Sequence, residues 1–381
     1  MSKYPYFKDI HEEVLKVARA ASEEFKKRAS DADRNADHAI VESNLKRLEE
    51  LNLSGLAIPR EYGGQGLDMV AHTLVVEEIA KVCLSTAFTF STHTQAMGCI
   101  YYDGTDEQKK KYLPALCKDK IGAFALTEPS AGSDPASGKT RAKLQGTEYV
   151  LNGSKCFCTG GAIADIIIVF ASLDPEKGAR GINAFIVEKG TPGLKIGKLE
   201  DKMGLRASPT TELFMDNCKV PKDNLLGNEG AGFSIAMNSL NYARVFMGAQ
   251  CIGLSKAALE AAIAYAKERV QFGQPIIKQQ AMQFMIAEMA AKIQAMESLT
   301  YHAAWLIDQK EPFAKEAAIT KLFNAEAAMW ITDKAIQIHG GVGYTKDYLV
   351  ERYHRDAKIM EIAEGTSEIQ KIVISRAVIG R

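Results

Sequence analysis

The chain has 381 residues, 46% hydrophobic and 25% charged, the usage of a globular protein with about two to three domains. Lys+Arg and Asp+Glu both number 47, so the formal net charge is zero, which excludes any bulk electrostatic pull toward nucleic acid or an anionic membrane. No apolar run reaches the roughly 18 residues of a bilayer span, and the opening MSKYPYFKDIHEEV is charged throughout, unlike a secretory signal. The expectation is a soluble, cytoplasmic protein that engages neither nucleic acid nor membrane.

In chain order, residues 1–120 read as a helical domain. Val14, Val17, Ala18 and Ala21 recur at helical spacing ahead of a SEEFKKR stretch expected to be exposed. Leu45, Leu48 and Leu51 repeat the pattern, and Leu74, Val75, Ile79 and Val82 give a third stripe. Residues 121–230 change texture to short alternating or fully apolar runs, GAFAL, EYVLNG, DIIIVFAS, INAFIVEK and ELFMD. Turn signals such as Asn152-Gly153 and Pro192-Gly193 separate them. Strands so closely spaced, with no helix between, predict an antiparallel sheet or barrel. From 231 to 381 helices return, and Met282, Met285, Ile286, Met289, Ile293 and Met296 form a stripe read as core. The fold class is α+β, mainly α: helical domain, β domain, helical bundle.

The seven cysteines are scattered, with no CxxC pair and no zinc-finger spacing, so reduced, buried thiols and no metal site are expected. Cys156 and Cys158 read as packing residues on one strand face. No GxGxxG follows a strand and opens a helix, which excludes a Rossmann crevice.

Three glycine-bearing segments are candidates for chemistry. TEPSAGSD (127–134) offers backbone N–H groups to an oxyanion or ring edge, or is a plain loop. QIHGGVGY (337–344) ends a helical pattern, with Gly340 and Gly341 as a C-cap. In IAEGTSEIQ (362–370), Ser367 and Gln370 fit a capping box. Glu364 precedes that helix in an apolar loop. Its carboxyl reads either as a general base with a raised pKa or as an exposed group on the helix dipole.

Taken in order, FALTEPSAGSD (124–134), LNGSKCFCTGG (151–161), DKMGLRAS (201–208), NYAR (241–244), RVQFG (269–273), QIHGGVGY (337–344) and RDAKIMEIAEGTSEIQ (355–370) resemble the acyl-CoA dehydrogenase family, in its short- and medium-chain branch. The resemblance implies FAD, an acyl-CoA substrate, a C-terminal four-helix bundle and a homotetramer built as a dimer of dimers. It implies flavin contacts at Phe124, Leu126, Thr127, Gly132 and Ser133, with Ser133 also reaching the CoA side. Phe157 and Thr159 would lie against the flavin ring. Arg269, Gln271, Phe272 and Gln279, with Gln337 and Gly341, would be lent to a neighbouring subunit's FAD; Thr366 and Glu368 fall on the FAD side. Ser91, Tyr242, Arg244 and Gly365 would face the substrate.

Glu364 matches the branch's catalytic base. The implied reaction is α-proton removal by Glu364 with β-hydride transfer to the flavin, in carboxylic or fatty acid degradation. Some relatives carry the base just before the substrate-side Arg, where this chain has Ala243. Ala363 replaces a common Tyr and is expected to widen the pocket; Thr86 replaces the Arg that receives a second carboxylate in glutaryl-type relatives. Ser91, Thr92, His93 and Thr94 make this stretch polar. The expected substrate is a short, branched or alicyclic acyl-CoA, with an electron-transferring flavoprotein as acceptor. The alternatives are an enoyl-CoA reductase running in reverse and a catalytically inactive helical scaffold of the same fold.

Overall fold

The structure is a computed structural model that describes residues 6–380. Five helices open the chain: α1 (Asp9–Asn35), α2 (His38–Glu50), α3 (Met69–Val82), α4 (Leu84–Asp103) and α5 (Asp106–Leu116). Their starts follow side-chain chemistry: Asp37 and Asp68 cap α2 and α3, and Thr105 with Gln108 forms a reciprocal box on α5. The buried stripe of α1 differs from the expected one. Val17 is exposed and Leu15 buried in its place, while Ser22 and Phe25, inside the stretch expected to be exposed, are buried. Packing of α1 on α3 covers a broader arc than the alanine-valine spacing marks.

The middle segment folds as β1 (Gly122–Ala125), β2 (Arg141–Gln145), β3 (Glu148–Thr159), β4 (Ile166–Ser172), β5 (Ile182–Glu188), β6 (Leu194–Leu199), β7 (Thr210–Pro221) and β8 (Leu225–Leu226). They form one sheet in the order β6-β7-β3-β2-β4-β5-β8, with β1 added against β4. The ladders are antiparallel as expected, except that β1 pairs with β4 in parallel and β2 touches β4 through one parallel pair. A register shift between Lys155 and Cys158 breaks the β3 alternation. Cys158 therefore joins the β-domain core while Cys156 is buried outside it. All seven cysteines are free and buried.

The chain then runs through α6 (Gly232–Glu268), a hairpin of β9 (Val270–Gln271) and β10 (Gln274–Pro275), α7 (Gln280–Asp308), α8 (Ala314–His339), α9 (Val350–Ala357) and α10 (Ser367–Ile379). Helix α6 packs on α7 and α8, and α10 on α8, giving the bundle. Met289, Ile293 and Met296 are core, with Met282, Met285 and Ile286 packed against it. Helix α3 also packs along α6, so one hydrophobic core runs through both helical segments, from Val14 to Met360. Among the described residues no helix is long and apolar enough to cross a membrane, and no cluster of three His, Cys, Asp or Glu is placed to hold a metal.

Candidate active site

Glu364 lies in the short loop that leads into α10. Its φ is +56° and that of Gly365 is +91°, so two consecutive residues are left-handed. That conformation costs a non-glycine residue about 1–2 kcal/mol, and three buried side chains hold it in place. Arg244 on α6 donates through Nε to the Glu364 carbonyl at 3.2 Å. Gln370 on α10 donates through Nε2 to the same carbonyl at 3.1 Å and to that of Gly365 at 2.8 Å. Lys321 on α8 donates through Nζ to the Gly365 carbonyl at 2.7 Å. A Cβ at residue 365 would stand 2.8 Å from Gln370 Nε2, so only glycine fits.

This clamp corrects the capping expectation. The N-cap of α10 is Thr366, whose hydroxyl accepts from the Ile369 N–H, and not Ser367. The Gln370 amide, expected to complete a box, instead reaches back to the two loop carbonyls. Local pattern marks a helix start to within about one residue; the left-handed turn at Glu364 and Gly365 decides which residue it is.

The Glu364 side chain faces a cavity of about 200 Å³, including its mouth, between α4 and α6. Helix α4 contributes Phe88, Ser91, Thr92 and Gln95 to its wall; α6 contributes Ala243, Met247 and Gln250. Burial pushes the Glu364 carboxyl above its ordinary range, against the opposing charges of Arg244 and Lys321 and the Gln95 amide. Burial also pushes the Lys321 amine down to about 8.

The raised carboxyl has a consequence for stability. Below pH 4.5 the folded and unfolded states are both protonated; as pH rises through the folded value, the unfolded state has already released its proton and stability is lost. Glu364→Gln, which never ionises, is therefore expected to gain in Tm on the parent between pH 4 and pH 7. Thermal unfolding of the two proteins at both pH values checks this; an equal difference at the two would contradict it.

Beside α4, the end of β3 meets the loop after β1. The Cys156 N–H donates to the Thr127 carbonyl at 2.9 Å, and Lys155 Nζ to the Leu126 carbonyl at 3.1 Å. Lys155 also pairs at 2.7 Å with Glu128, both buried. The bulge at this point turns Phe157 left-handed, with φ +55°, and leaves its ring 65% exposed. Thr89 of α4 bonds Ser208 at 2.9 Å, which ties the DKMGLRAS segment to the wall of the pocket.

Residues 9–120, 123–218 and 230–379 match the N-terminal, middle and C-terminal domains of acyl-CoA dehydrogenase. The chain belongs to the acyl-CoA dehydrogenase family. It is 49% identical to an acryloyl-CoA reductase (NADH) of Anaerotignum propionicum, over 97% of this chain and 94% of that one. It is 48% identical to a short-chain specific acyl-CoA dehydrogenase of Clostridium acetobutylicum, over 87% and 88% of the two chains. The solved butyryl-CoA dehydrogenase of Megasphaera elsdenii superposes with a TM-score of 0.95 at 41% identity, covering 98% of this chain and 99% of that one.

In this member of the family, the expected site residues fall into three groups. Phe124, Leu126 and Thr127 are half-buried beside Phe157 and the buried Thr159, with Gly132 and Ser133 exposed on the adjoining loop. At Gly132 an added Cβ would meet nothing within 4 Å. A second group gathers at the far ends of α6 and α8, where Tyr265 stacks on His339 at 4.5 Å. It holds Arg269, Gln271 and Phe272 on the hairpin, Gln279 at the start of α7, and Gln337 and Gly341 at the end of α8. Phe272 is 94% exposed, and Gly340 and Gly341 likewise have open space around them. Among the described residues no hydrogen bond or ring contact joins this group to Phe157.

The third group is the pocket. Ser91 lines it, accepting from Gln250 Nε2 at 2.8 Å. Gly365 and Arg244 hold the loop from behind. Tyr242 stacks on Tyr102, with ring centroids 4.9 Å apart, and is not among the lining residues; nor is Ala363, which packs against the helical core. Thr366 acts as the α10 cap, and Glu368 is exposed in the first turn of that helix. His93 Nδ1 accepts from the Gly122 N–H at 2.9 Å, and burial pushes its pKa down to about 4, so it is a neutral helix residue turned toward β1. Gln95, Gln250, Met247 and Lys321 escaped sequence reasoning. Each sits at an ordinary helical position, with no motif to mark it.

An exposed, conformationally constrained aromatic ring fits a flat cofactor better than it fits water. With Thr127 and Thr159 as hydroxyl partners and the open Gly132 on the adjoining loop, the residues present fit FAD. Arg269 in the second group suits a pyrophosphate.

Proposed function

We propose that this chain is a FAD-dependent oxidoreductase that interconverts a short-chain acyl-CoA thioester and its 2-enoyl-CoA, with Glu364 as the base. The observation that carries the reading is a carboxyl with a raised pKa, on a clamped left-handed loop, facing a small pocket between α4 and α6. A pocket this small, walled by Phe88, Met247 and two glutamines, favours a short acyl chain over a bulky branched or alicyclic one.

FAD, held by Phe124, Leu126, Thr127, Gly132, Ser133, Phe157 and Thr159, supplies the two-electron acceptor. The chain's own residues do the rest. Ionised Glu364 takes the α-proton as the Cα–H bond breaks. Its backbone N–H polarises the thioester carbonyl and stabilises enolate character. Arg244, Lys321 and Gln370 fix the loop so that the carboxylate needs no reorganisation at the moment of proton transfer. The walls of α4 and α6 exclude water. The exposed hairpin with Arg269, Gln271 and Phe272, together with Gln279, Gln337 and Gly341, is proposed to complete the cofactor site of a second copy, in a homotetramer. An electron-transferring flavoprotein is the proposed partner.

The opposite direction is the second reading, supported by the acryloyl-CoA reductase relative at 49% identity. There protonated Glu364 returns the proton to Cα, and the raised carboxyl pKa serves that direction equally well.

Anaerobic titration of the flavin-loaded protein with linear, branched and alicyclic acyl-CoAs tests both. Butyryl-CoA is expected to bleach the flavin, and crotonyl-CoA to reoxidise the reduced enzyme, with palmitoyl-CoA inert. Bound flavin that no acyl-CoA bleaches would refute the reading.

A further inference from the structure

We propose that the pocket facing Glu364 recognises an acyl chain that carries a hydroxyl group, through Gln95 and Gln250. This rests on the reading of the site as a short acyl-CoA pocket and names the class of acyl group it takes.

The two glutamines line the same cavity from opposite helices and are 4% and 1% exposed. Gln250 Oε1 is buried without a hydrogen-bond partner, and Gln95 Nε2, on the Glu364 side of the pocket, has none within 3.5 Å. Buried amide atoms left unpaired are costly, and a pair of them in one small pocket points to a partner that arrives with the ligand. The orientation of Gln250 is decided by its neighbours. Its Nε2 donates to Ser91 Oγ at 2.8 Å and to the Ala87 carbonyl at 3.4 Å. Turning the amide over would set Oε1 against that carbonyl oxygen. The free atom of Gln250 is therefore an acceptor, and the Gln95 amide, which favours the ionised Glu364, presents its donor.

Among the groups an acyl chain can carry, a hydroxyl answers both in place of a water, because its oxygen accepts from Gln95 while its hydrogen donates to Gln250. A methyl group would satisfy neither. A keto oxygen would satisfy Gln95 alone. A carboxylate would face the Gln250 oxygen with no free cation: Arg244 and Lys321 are engaged on the loop carbonyls, and neither lines the cavity. Gln95 also favours the ionised form of Glu364, so its effect on the base must be separated from its effect on the acyl group.

The test compares kcat/KM of the flavin-loaded enzyme for matched pairs in which a methyl replaces the hydroxyl: 4-hydroxybutyryl-CoA against pentanoyl-CoA, and 5-hydroxypentanoyl-CoA against hexanoyl-CoA. The hydroxylated member of at least one pair is expected to be favoured about tenfold. Gln95→Leu and Gln250→Leu, with Gln250→Met as a second variant, are each expected to erase that preference. The ratio within a pair does not depend on how much of a variant folds. A parent enzyme that prefers the methyl member of both pairs would overturn the proposal, as would variants that keep the parent's ratio. An acid limb shifted equally for both members in Gln95→Leu, with the ratio unchanged, would assign Gln95 to the base and overturn its role here. Turnover of pentanoyl-CoA without hydroxyl preference overturns this inference alone; turnover of no acyl-CoA at all overturns the reading on which it rests.

Discussion

Glu364→Gln in the flavin-loaded enzyme is expected to slow flavin reduction by a good acyl-CoA substrate by about 10³- to 10⁴-fold, the scale of a lost general base. FAD content should be unchanged, because the group around Phe157 and Thr127 is built from other elements. Glutamine keeps the shape, the loop conformation and the backbone N–H, and loses only the ability to take a proton. No neighbour substitutes for it: the cavity wall is otherwise Phe88, Ser91, Thr92, Gln95, Met247 and Gln250, with Ala243 where some relatives carry their base. His93 is neutral and bonded toward Gly122. Stopped-flow bleaching of the flavin reads the rate directly, and reduction within tenfold of the parent would show that proton removal lies elsewhere.

Lys321→Met is expected to lower kcat about tenfold and to move the acid limb of the dehydrogenation profile upward in pH. Two effects combine. The Nζ donor to the Gly365 carbonyl is lost, leaving Gln370 as the remaining donor to that oxygen; a hydrogen bond from a charged group is worth about 1.5–3 kcal/mol, and about 1.4 kcal/mol corresponds to a factor of ten in rate. The ammonium charge that favours ionised Glu364 is also lost, so the carboxyl pKa rises further above its already raised value and the base is protonated at higher pH. Lys321 touches neither the pocket nor the carboxylate by hydrogen bond; it positions the loop. A lower kcat with an unmoved acid limb would reduce it to a packing residue.

The glutamate and its loop show how far local pattern reaches. EGT ahead of a helix, with an apolar approach at Ile362-Ala363, marked Glu364 as a candidate while leaving open whether its carboxyl was buried or on the helix dipole. The pocket it faces settled that, and the wall of that pocket is contributed by α4 and α6, more than 110 residues upstream in the chain. The capping residue was misplaced by one position for the same reason: Gln370 had two possible partners nearby, and the choice depended on the left-handed turn that Arg244 and Lys321 hold from other helices.

Helix and strand types, the order helical–β–helical, the methionine stripe as core and the reduced state of the cysteines follow from periodicities and composition that each segment carries within itself. The motifs in their order were enough to identify the family and to single out Glu364 as the candidate base. Left to the tertiary structure were the polar pair Gln95 and Gln250, which lie 155 positions apart, the outward turn of Phe157 at a bulge, and the parallel seam between β1 and β4. Each depends on which distant surfaces meet, and an amide on a helix carries no local mark of whether it faces water, a carbonyl or an empty pocket. The zero net charge of the whole chain stands in the same relation to its parts: it excludes a polyanion-binding surface in bulk, while the placement of Arg244, Lys321 and Arg269 decides where positive charge is used.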